Sequence, residues 1–329
     1  MSDPMPTLAQ VFAARKRIRD LALRTPLIPC PALTELTGVE VHLKPESLQP
    51  TGSFKIRGAA NKILSLTAEE RERGVIAFST GNHGRAVAHV CRELGFRAVI
   101  CLSERVPAFR VEAMAALGAE VVRHGQSQDE AYQRALEIQA DQGLTMVAPF
   151  DDPEIIAGQG TICLEIMEDL PEAAGLVVPV SGGGLMAGLA LAAKSIDPGI
   201  RTMGVSMEVA PAMYRSLEAG RPLEIPEKDS LADALLGGIG LDNRFTFPLV
   251  RDLVDEMALV SEEEIARGMV FCLARLGLVV EGSGAVGVAA LVSGRLKVEK
   301  GPLVLVLSGG NANLSWLITE AAQRRAGSA

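Results

Sequence analysis

Aromatic side chains are scarce in this sequence: nine Phe, two Tyr and one Trp among 329 residues, or 4%. Few rings are left to stack on bases, and 32 Lys and Arg against 40 Asp and Glu give a net charge of −8 that repels a phosphate backbone. No nucleic acid is therefore expected as a partner. The cysteines are few, odd in number and scattered (Cys30, Cys91, Cys101, Cys163, Cys272), with no CxxC pair. That spacing argues against a disulfide framework or a zinc site and fits a reducing cytosol. The first twenty residues lack the apolar run of a secretory leader, so a cytoplasmic protein is expected. The long charge-free stretch Ala173 to Ala193, 21 residues, is interrupted by Pro179, Ser181 and three successive glycines. It reads as a buried strand turning into a buried helix, and no membrane association is expected.

Glycine is what the sequence has in excess: 33 residues, where the usual ~7% would give about 23. Hydrophobic residues reach 48%, enough for a sizeable core, and the length corresponds to about two domains. After residue 70, short β-branched runs alternate with helix-period segments, the pattern of βαβ units and a mostly parallel sheet, so the fold class is α/β. Strands are predicted at Val75–Phe78, Ala98–Leu102, Glu120–Arg123, Leu144–Ala148, Leu176–Val180, Arg201–Val205 and Leu303–Leu307. Helices are predicted at Asn82–Leu94, Pro107–Leu117, Gln128–Ala140, Pro153–Asp169, Leu185–Ser195 and Glu262–Leu276. Proline-rich boundaries near 45–50 and 149–153 suggest a small α/β domain, 48–147, inserted into a larger one made of 1–47 and 148–329. Many of the surplus glycines, among them Gly58, Gly84, Gly188, Gly282 and Gly284, are expected in loops that approach a ligand.

Four constellations carry chemistry. Lys55, in Thr51-Gly-Ser-Phe-Lys-Ile-Arg-Gly58, sits where neighbouring apolar groups could desolvate its amine, although a lone lysine is more often simply solvated. Ser79-Thr-Gly-Asn-His-Gly84 joins a strand to a helix and could bind an anion at the helix N-terminus or merely cap it. Val180-Ser-Gly-Gly-Gly-Leu185 is again strand, glycine turn and helix, and a triple glycine suits close backbone approach to a phosphate. Its Gly182-x-Gly184-x-x-Ala187 also matches the dinucleotide fingerprint, with Glu208 beyond, so an NAD-dependent oxidoreductase is a competing reading. Leu307-Ser-Gly-Gly-Asn311 is the fourth. Together they suggest a phosphate-bearing cofactor held by backbone amides and neutral hydroxyls. A non-catalytic amino-acid-binding module is a third reading.

The motifs Ser-Phe-Lys-Ile-Arg-Gly-Ala at 53–59, Ser-Thr-Gly-Asn-His at 79–83, Ala-Gly-Gln-Gly-Thr at 157–161, Gly-Gly-Gly-Leu at 182–185 and Ser-Gly-Gly-Asn at 308–311 resemble, in order, those of the fold-type II pyridoxal-phosphate enzymes of the threonine dehydratase and serine racemase group. The resemblance implies two open twisted α/β domains of the tryptophan synthase beta-like kind, with pyridoxal 5'-phosphate in the cleft between them. It implies that Lys55 bonds the cofactor aldehyde, Phe54 packs on the pyridine ring and Asn82 meets its phenolic oxygen. Ser181, Gly182, Gly183, Gly184 and Leu185 would cradle the phosphate, and Ser308 would face the ring nitrogen. Ser79, Thr80 and His83 would lie near the substrate carboxylate, with Lys55 and Thr80 as catalytic residues. A serine at the ring nitrogen favours loss of a β-leaving group, so the implied reaction is water elimination from a β-hydroxy amino acid, giving a 2-oxo acid and ammonia.

Departures sharpen the expectation. Thr80 replaces the serine base of racemases, which argues against racemisation as the main activity. Ser206 and Ala212 replace the acidic residues of the relatives' divalent-cation site, and Glu208 is out of register, so no metal is expected. The chain ends soon after Ser308, so isoleucine control through a C-terminal domain is not expected. Residues 78–88 and 204–208 look most like the dehydratases of hydroxyectoine utilisation, with Arg85 and Glu208 as candidate readers of a longer or charged side chain. L-threonine, L-serine or 3-hydroxyaspartate is the alternative substrate, and a homodimer is the implied assembly.

Overall fold

The computed structural model describes residues 4–79 and 81–326, apart from the side chains of Phe109, Asp129, Arg325 and Ala326. Thr80, one of the expected catalytic residues, lies outside the described residues. Ten strands occur among them: β1 Ile28–Pro29, β2 Val41–Pro45, β3 Val75–Phe78, β4 Ala98–Leu102, β5 Glu120–Arg123, β6 Thr145–Met146, β7 Gly175–Pro179, β8 Arg201–Met207, β9 Glu256–Val260 and β10 Leu303–Leu307. They form a six-stranded sheet in the order β1-β2-β10-β7-β8-β9 and a four-stranded sheet in the order β5-β4-β3-β6. Of these strand pairs only β1–β2 is antiparallel.

The central strands are apolar along their whole length because helices cover both faces of a parallel sheet. Every residue of β10 (LVLVL), β7 (GLVVP) and β4 (AVICL) is buried. Successive side chains take opposite faces. Leu176, Val178, Val304 and Val306 join the core on one face of the large sheet, whereas Val177, Leu303 and Leu305 join the other. The small sheet divides the same way, Val75, Ala77, Ile100 and Leu102 against Ile76, Val99 and Cys101.

Strand order places the chemistry. In the large sheet the chain leaves β7 for β8 on one side and returns as β10 on the other. In the small sheet it leaves β3 for β4 and returns as β6 on the opposite side. Ligands in open α/β sheets bind beyond the carboxyl ends of strands at such switch points. The Ser181–Leu185 turn comes after β7, Ser308–Asn311 after β10, and Ser79 leads out of β3 toward the helix Asn82–Leu94.

Most expected elements are present, with three corrections. The strand expected at Leu144–Ala148 is only the two-residue β6, and β8 extends to Met207. The glycines expected in ligand loops at 58, 84, 188, 282 and 284 lie instead in helices. Gly58, in the helix Lys55–Ser65, faces Gly158 in the helix Pro153–Asp169, and a Cβ on Gly158 would stand 2.7 Å from the Gly58 Cα. Two residues on, around the other side of that helix, a Cβ on Gly188 of the helix Gly184–Ile196 would stand 2.7 Å from the Gly160 amide. Small residues here let three helices cross almost backbone on backbone.

The charge-free stretch 173–193 contains β7, its turn and most of the helix Gly184–Ile196, as expected. Among the described residues, no helix is long and apolar enough to cross a membrane. All five cysteines are buried and unpaired.

Candidate active site

Lys55 opens its helix directly after Phe54, the N-cap residue. Two links fasten this entry to the end of β10: the Phe54 amide donates to the Ser308 carbonyl at 3.0 Å, and the Gly310 amide donates to the Gly52 carbonyl at 2.9 Å. The lysine is thereby set beside the expected ring-nitrogen partner. Its Nζ donates to the Pro149 carbonyl at 2.6 Å and stands 5.2 Å from the Phe54 ring centre. The side chain keeps a partly open face, yet protein packed densely around the amine pushes its pKa down to about 8. Burial of a cation without an anionic partner produces that direction of shift.

Phe150, next to the Pro149 that holds the lysine, packs against the triple glycine. A side chain on Gly182 would overlap the Phe150 ring, and one on Gly184 would stand 3.0 Å from the Phe150 backbone. Gly183 has φ +89°, a left-handed conformation that side chains rarely adopt, and its Cβ would meet Met213 at 2.7 Å and Thr246 at 3.1 Å. The turn is therefore wedged between Phe150 and the helix Thr246–Leu253, whose start Asp151 holds by accepting from the amides of Arg244, Phe245 and Thr246. The turn leads into the N-terminal end of a 13-residue helix, the end that attracts a phosphate.

Asn82 lies at the first turn of its helix and is bonded on both edges: Nδ2 donates to Glu281 Oε1 at 2.6 Å, and Oδ1 accepts from Asn311 Nδ2 at 2.7 Å. Ser308 is buried at the end of β10, and its hydroxyl reaches the Ser283 carbonyl only at 3.5 Å. His83 sits deeper than the sequence suggested. Its buried Nε2 donates to the Val147 carbonyl at 2.8 Å, and burial, with the nearby Lys55 charge, pushes its pKa down to about 3. The imidazole is therefore neutral and points at the Val147–Phe150 segment, so the side chain braces the stretch after β6 whose Pro149 carbonyl holds Lys55. Ser79 Oγ accepts from the Gly81 amide at 3.3 Å, an inward turn at the mouth of the same helix.

The residues expected to read a longer substrate are engaged elsewhere. Arg85 donates to Asn311 Oδ1 at 2.9 Å, and Glu208 accepts from Arg295 at 3.1 Å on the surface. Glu208 also lines an open cavity of about 680 Å³ with Arg215 and Lys228, which none of the Lys55 group enters. No group of three or more His, Cys, Asp or Glu side chains among the described residues is arranged to hold a metal ion.

Two features escaped the sequence reading. Glu281 is buried at the site, and burial with the Asp233 charge pushes its carboxyl up to about 7, against the opposing pull of Asn82 and Arg110. On another side of the helix from Lys55, Arg57 is 1% exposed and makes paired bonds to two carboxylates: to Glu46 at 2.8 and 2.8 Å, and to Glu165 at 2.6 and 2.9 Å. Lys44 Nζ adds bonds to Glu165 at 2.6 Å and to the Thr25 carbonyl at 2.7 Å. The only prior sign was Arg57 standing two residues after the lysine.

These residues fit pyridoxal phosphate: an amine of lowered basicity, a left-handed glycine turn leading into a helix N-terminus, a carboxamide and a neutral serine. A family model described as pyridoxal-phosphate dependent enzyme matches residues 18–309. The chain is 45% identical to an L-threonine ammonia-lyase of Thermotoga maritima over 95% of this chain and 77% of that one. It is 40% identical to the catabolic L-threonine dehydratase of Escherichia coli over 93% of each. Among solved structures, maize serine racemase superposes with a TM-score of 0.91 at 33% identity, covering 98% of this chain and 99% of that one. With its glycine turn and serine at the switch point of the large sheet and its lysine bonded to the stretch after β6 of the small one, the chain belongs to the pyridoxal-phosphate-dependent enzyme family and is an ammonia-lyase built on that cofactor.

Proposed function

We propose that the chain eliminates water from a short β-hydroxy amino acid, releasing a 2-oxo acid and ammonia, with Lys55 as the proton-transferring group. Bound pyridoxal phosphate supplies the electron sink that makes the substrate Cα–H bond acidic. The observation that carries the reading is the state of the Lys55 amine, held by the Pro149 carbonyl with no carboxylate among the described residues bonded to it. At a pKa of about 8, about a tenth of it is neutral at pH 7, against roughly three parts in ten thousand at the ordinary 10.5. A neutral amine attacks an aldehyde and accepts a proton, whereas an ammonium does neither.

In this reading Phe54 and Asn82 hold the cofactor ring, and the Ser181–Leu185 turn takes the phosphate. Ser308 offers the ring nitrogen a hydroxyl instead of a carboxylate. Ser79 and Thr80, with the amides that open the Asn82–Leu94 helix, take the substrate carboxylate and so orient the Cα–H bond toward Lys55. The His83 side chain supports this turn from behind.

L-threonine and L-serine are the substrates this arrangement supports best, because Arg85 and Glu208 are tied to Asn311 and Arg295. One observation favours the longer β-hydroxy diamino acid of hydroxyectoine breakdown. Arg110 and Asp233 form an ion pair beside Gly81, and Asp233 lies close enough to press on Glu281, so a second substrate amine would meet this carboxylate by displacing Arg110. Release of 2-oxo acid from L-threonine, L-serine, 3-hydroxyaspartate and the hydroxyectoine-derived diamino acid separates the readings. Turnover of threonine or serine with the highest kcat/KM supports the first, and preference for the diamino acid supports the second. The homodimer implied by the resemblance belongs to the same proposal and is tested by sedimentation.

A further inference from the structure

We infer that Glu281 is a positioning residue that fixes which edge of the Asn82 carboxamide faces the cofactor. A carboxamide has one donating and one accepting edge, and a 180° flip exchanges them. Here the donors run in one direction through four side chains. Arg85 donates to Asn311 Oδ1 at 2.9 Å, Asn311 Nδ2 donates to Asn82 Oδ1 at 2.7 Å, and Asn82 Nδ2 donates to Glu281 Oε1 at 2.6 Å. Asn311 cannot reverse, because a guanidinium only donates and the other Asn311 N–H is given to the Thr51 carbonyl at 3.0 Å. Asn82 cannot reverse either: a flip would set its oxygen against the Glu281 carboxylate and its nitrogen against the Asn311 nitrogen. One Asn82 N–H remains for a ligand, and a phenolate oxygen is the partner it suits.

The relay ends on a group whose charge can change. Glu281 stands at the start of the helix Gly282–Val292, faced by Asp233 from the turn Asp233–Leu235, by Arg110 from the helix Ala108–Ala115, by Asn82, and by the backbone amide of Asn311. Burial and Asp233 push its carboxyl up to about 7. As pH falls through that value the carboxyl gains a proton, becomes able to donate as well as accept, and no longer dictates one amide orientation.

The inference rests on Asn82 meeting the cofactor's phenolic oxygen, and the test separates the two. Wild-type holoenzyme, N82A, E281Q and N82A/E281Q are titrated from pH 6 to 8.5, following the visible absorption of the bound cofactor and the melting temperature. The wild-type band is expected to change with an inflection near pH 7. In E281Q the band is expected to be shifted and the inflection lost, with the melting temperature little changed, and the double variant is expected to coincide with N82A. An E281Q titration like that of the wild type, or additive shifts in the double variant, overturns the role of Glu281 alone. An N82A spectrum identical to the wild type overturns the Asn82 assignment and the inference with it. Should E281Q fail to fold, the wild-type titration decides, and a band constant from pH 6 to 8 overturns the inference.

Discussion

Arg57→Met takes the guanidinium out of the buried cluster with Lys44, Glu46 and Glu165. Arg57 and Lys44 balance Glu46 and Glu165, all four buried, so the substitution leaves two carboxylates facing one ammonium. An uncompensated buried charge costs about 3–5 kcal/mol. At ~2–3 °C per kcal/mol for a chain of this size, the melting temperature falls by roughly 6–15 °C. The pH dependence is more diagnostic. In the wild type, burial pushes the Glu46 carboxyl up, but Arg57, with Thr25 and Lys44, brings it below its ordinary value of 4.5. That contribution is present above the unfolded pKa and is lost as pH falls through the folded one. Without Arg57, burial dominates and the folded pKa rises above the unfolded one. The variant then loses stability as pH climbs from the unfolded value through the raised folded value. The gap between wild type and Arg57→Met is therefore expected to widen from pH 5 to pH 8, read by thermal melts at both. A variant melting within 2 °C of the wild type at pH 8, or an equal gap at both pH values, would refute the reasoning.

Cofactor uptake by apoprotein is expected to accelerate with pH and to level off above about 8, where the Lys55 amine becomes neutral. Stopped-flow absorbance measures this, and a rate still climbing tenfold per unit at pH 9 contradicts it. Gly188→Ala drives a Cβ to within 2.7 Å of the Gly160 amide, where neither backbone can yield cheaply. A loss of about 1–3 kcal/mol is expected, and an unchanged melting temperature argues against the close helix crossing. Activity toward the accepted substrate is expected to be the same with and without chelator; strong magnesium dependence contradicts this.

The strands that carry the site were legible because a parallel strand buried on both faces must be an unbroken apolar run, and Val75–Phe78 and Leu303–Leu307 are such runs. The turns after these strands announced themselves through glycine and serine. The same signal misled in Gly282–Val292, a helix buried on all sides, whose three glycines are used for close packing: a Cβ on Gly284 would meet the Gly309 amide at 3.0 Å. β2 was missed for the opposite reason, since Lys44 in a buried strand makes sense only once Glu165, 121 residues away, is beside it. Glu281 and Arg57 were illegible on the same ground. Their partners come from other elements, and a charge's burial is a property of the packed molecule. His83 shows the limit within a motif, because sequence placed it at the right turn but not which way its ring points.

The central claim is that Lys55 is the residue that bonds the cofactor. Borohydride reduction of the pyridoxal-phosphate-loaded protein, followed by digestion and mass spectrometry, locates that bond directly. A pyridoxyl group on the peptide containing Lys55, and its disappearance in Lys55→Ala, is the predicted result. A label on any other lysine, or none on a protein that has taken up the cofactor, would contradict the account.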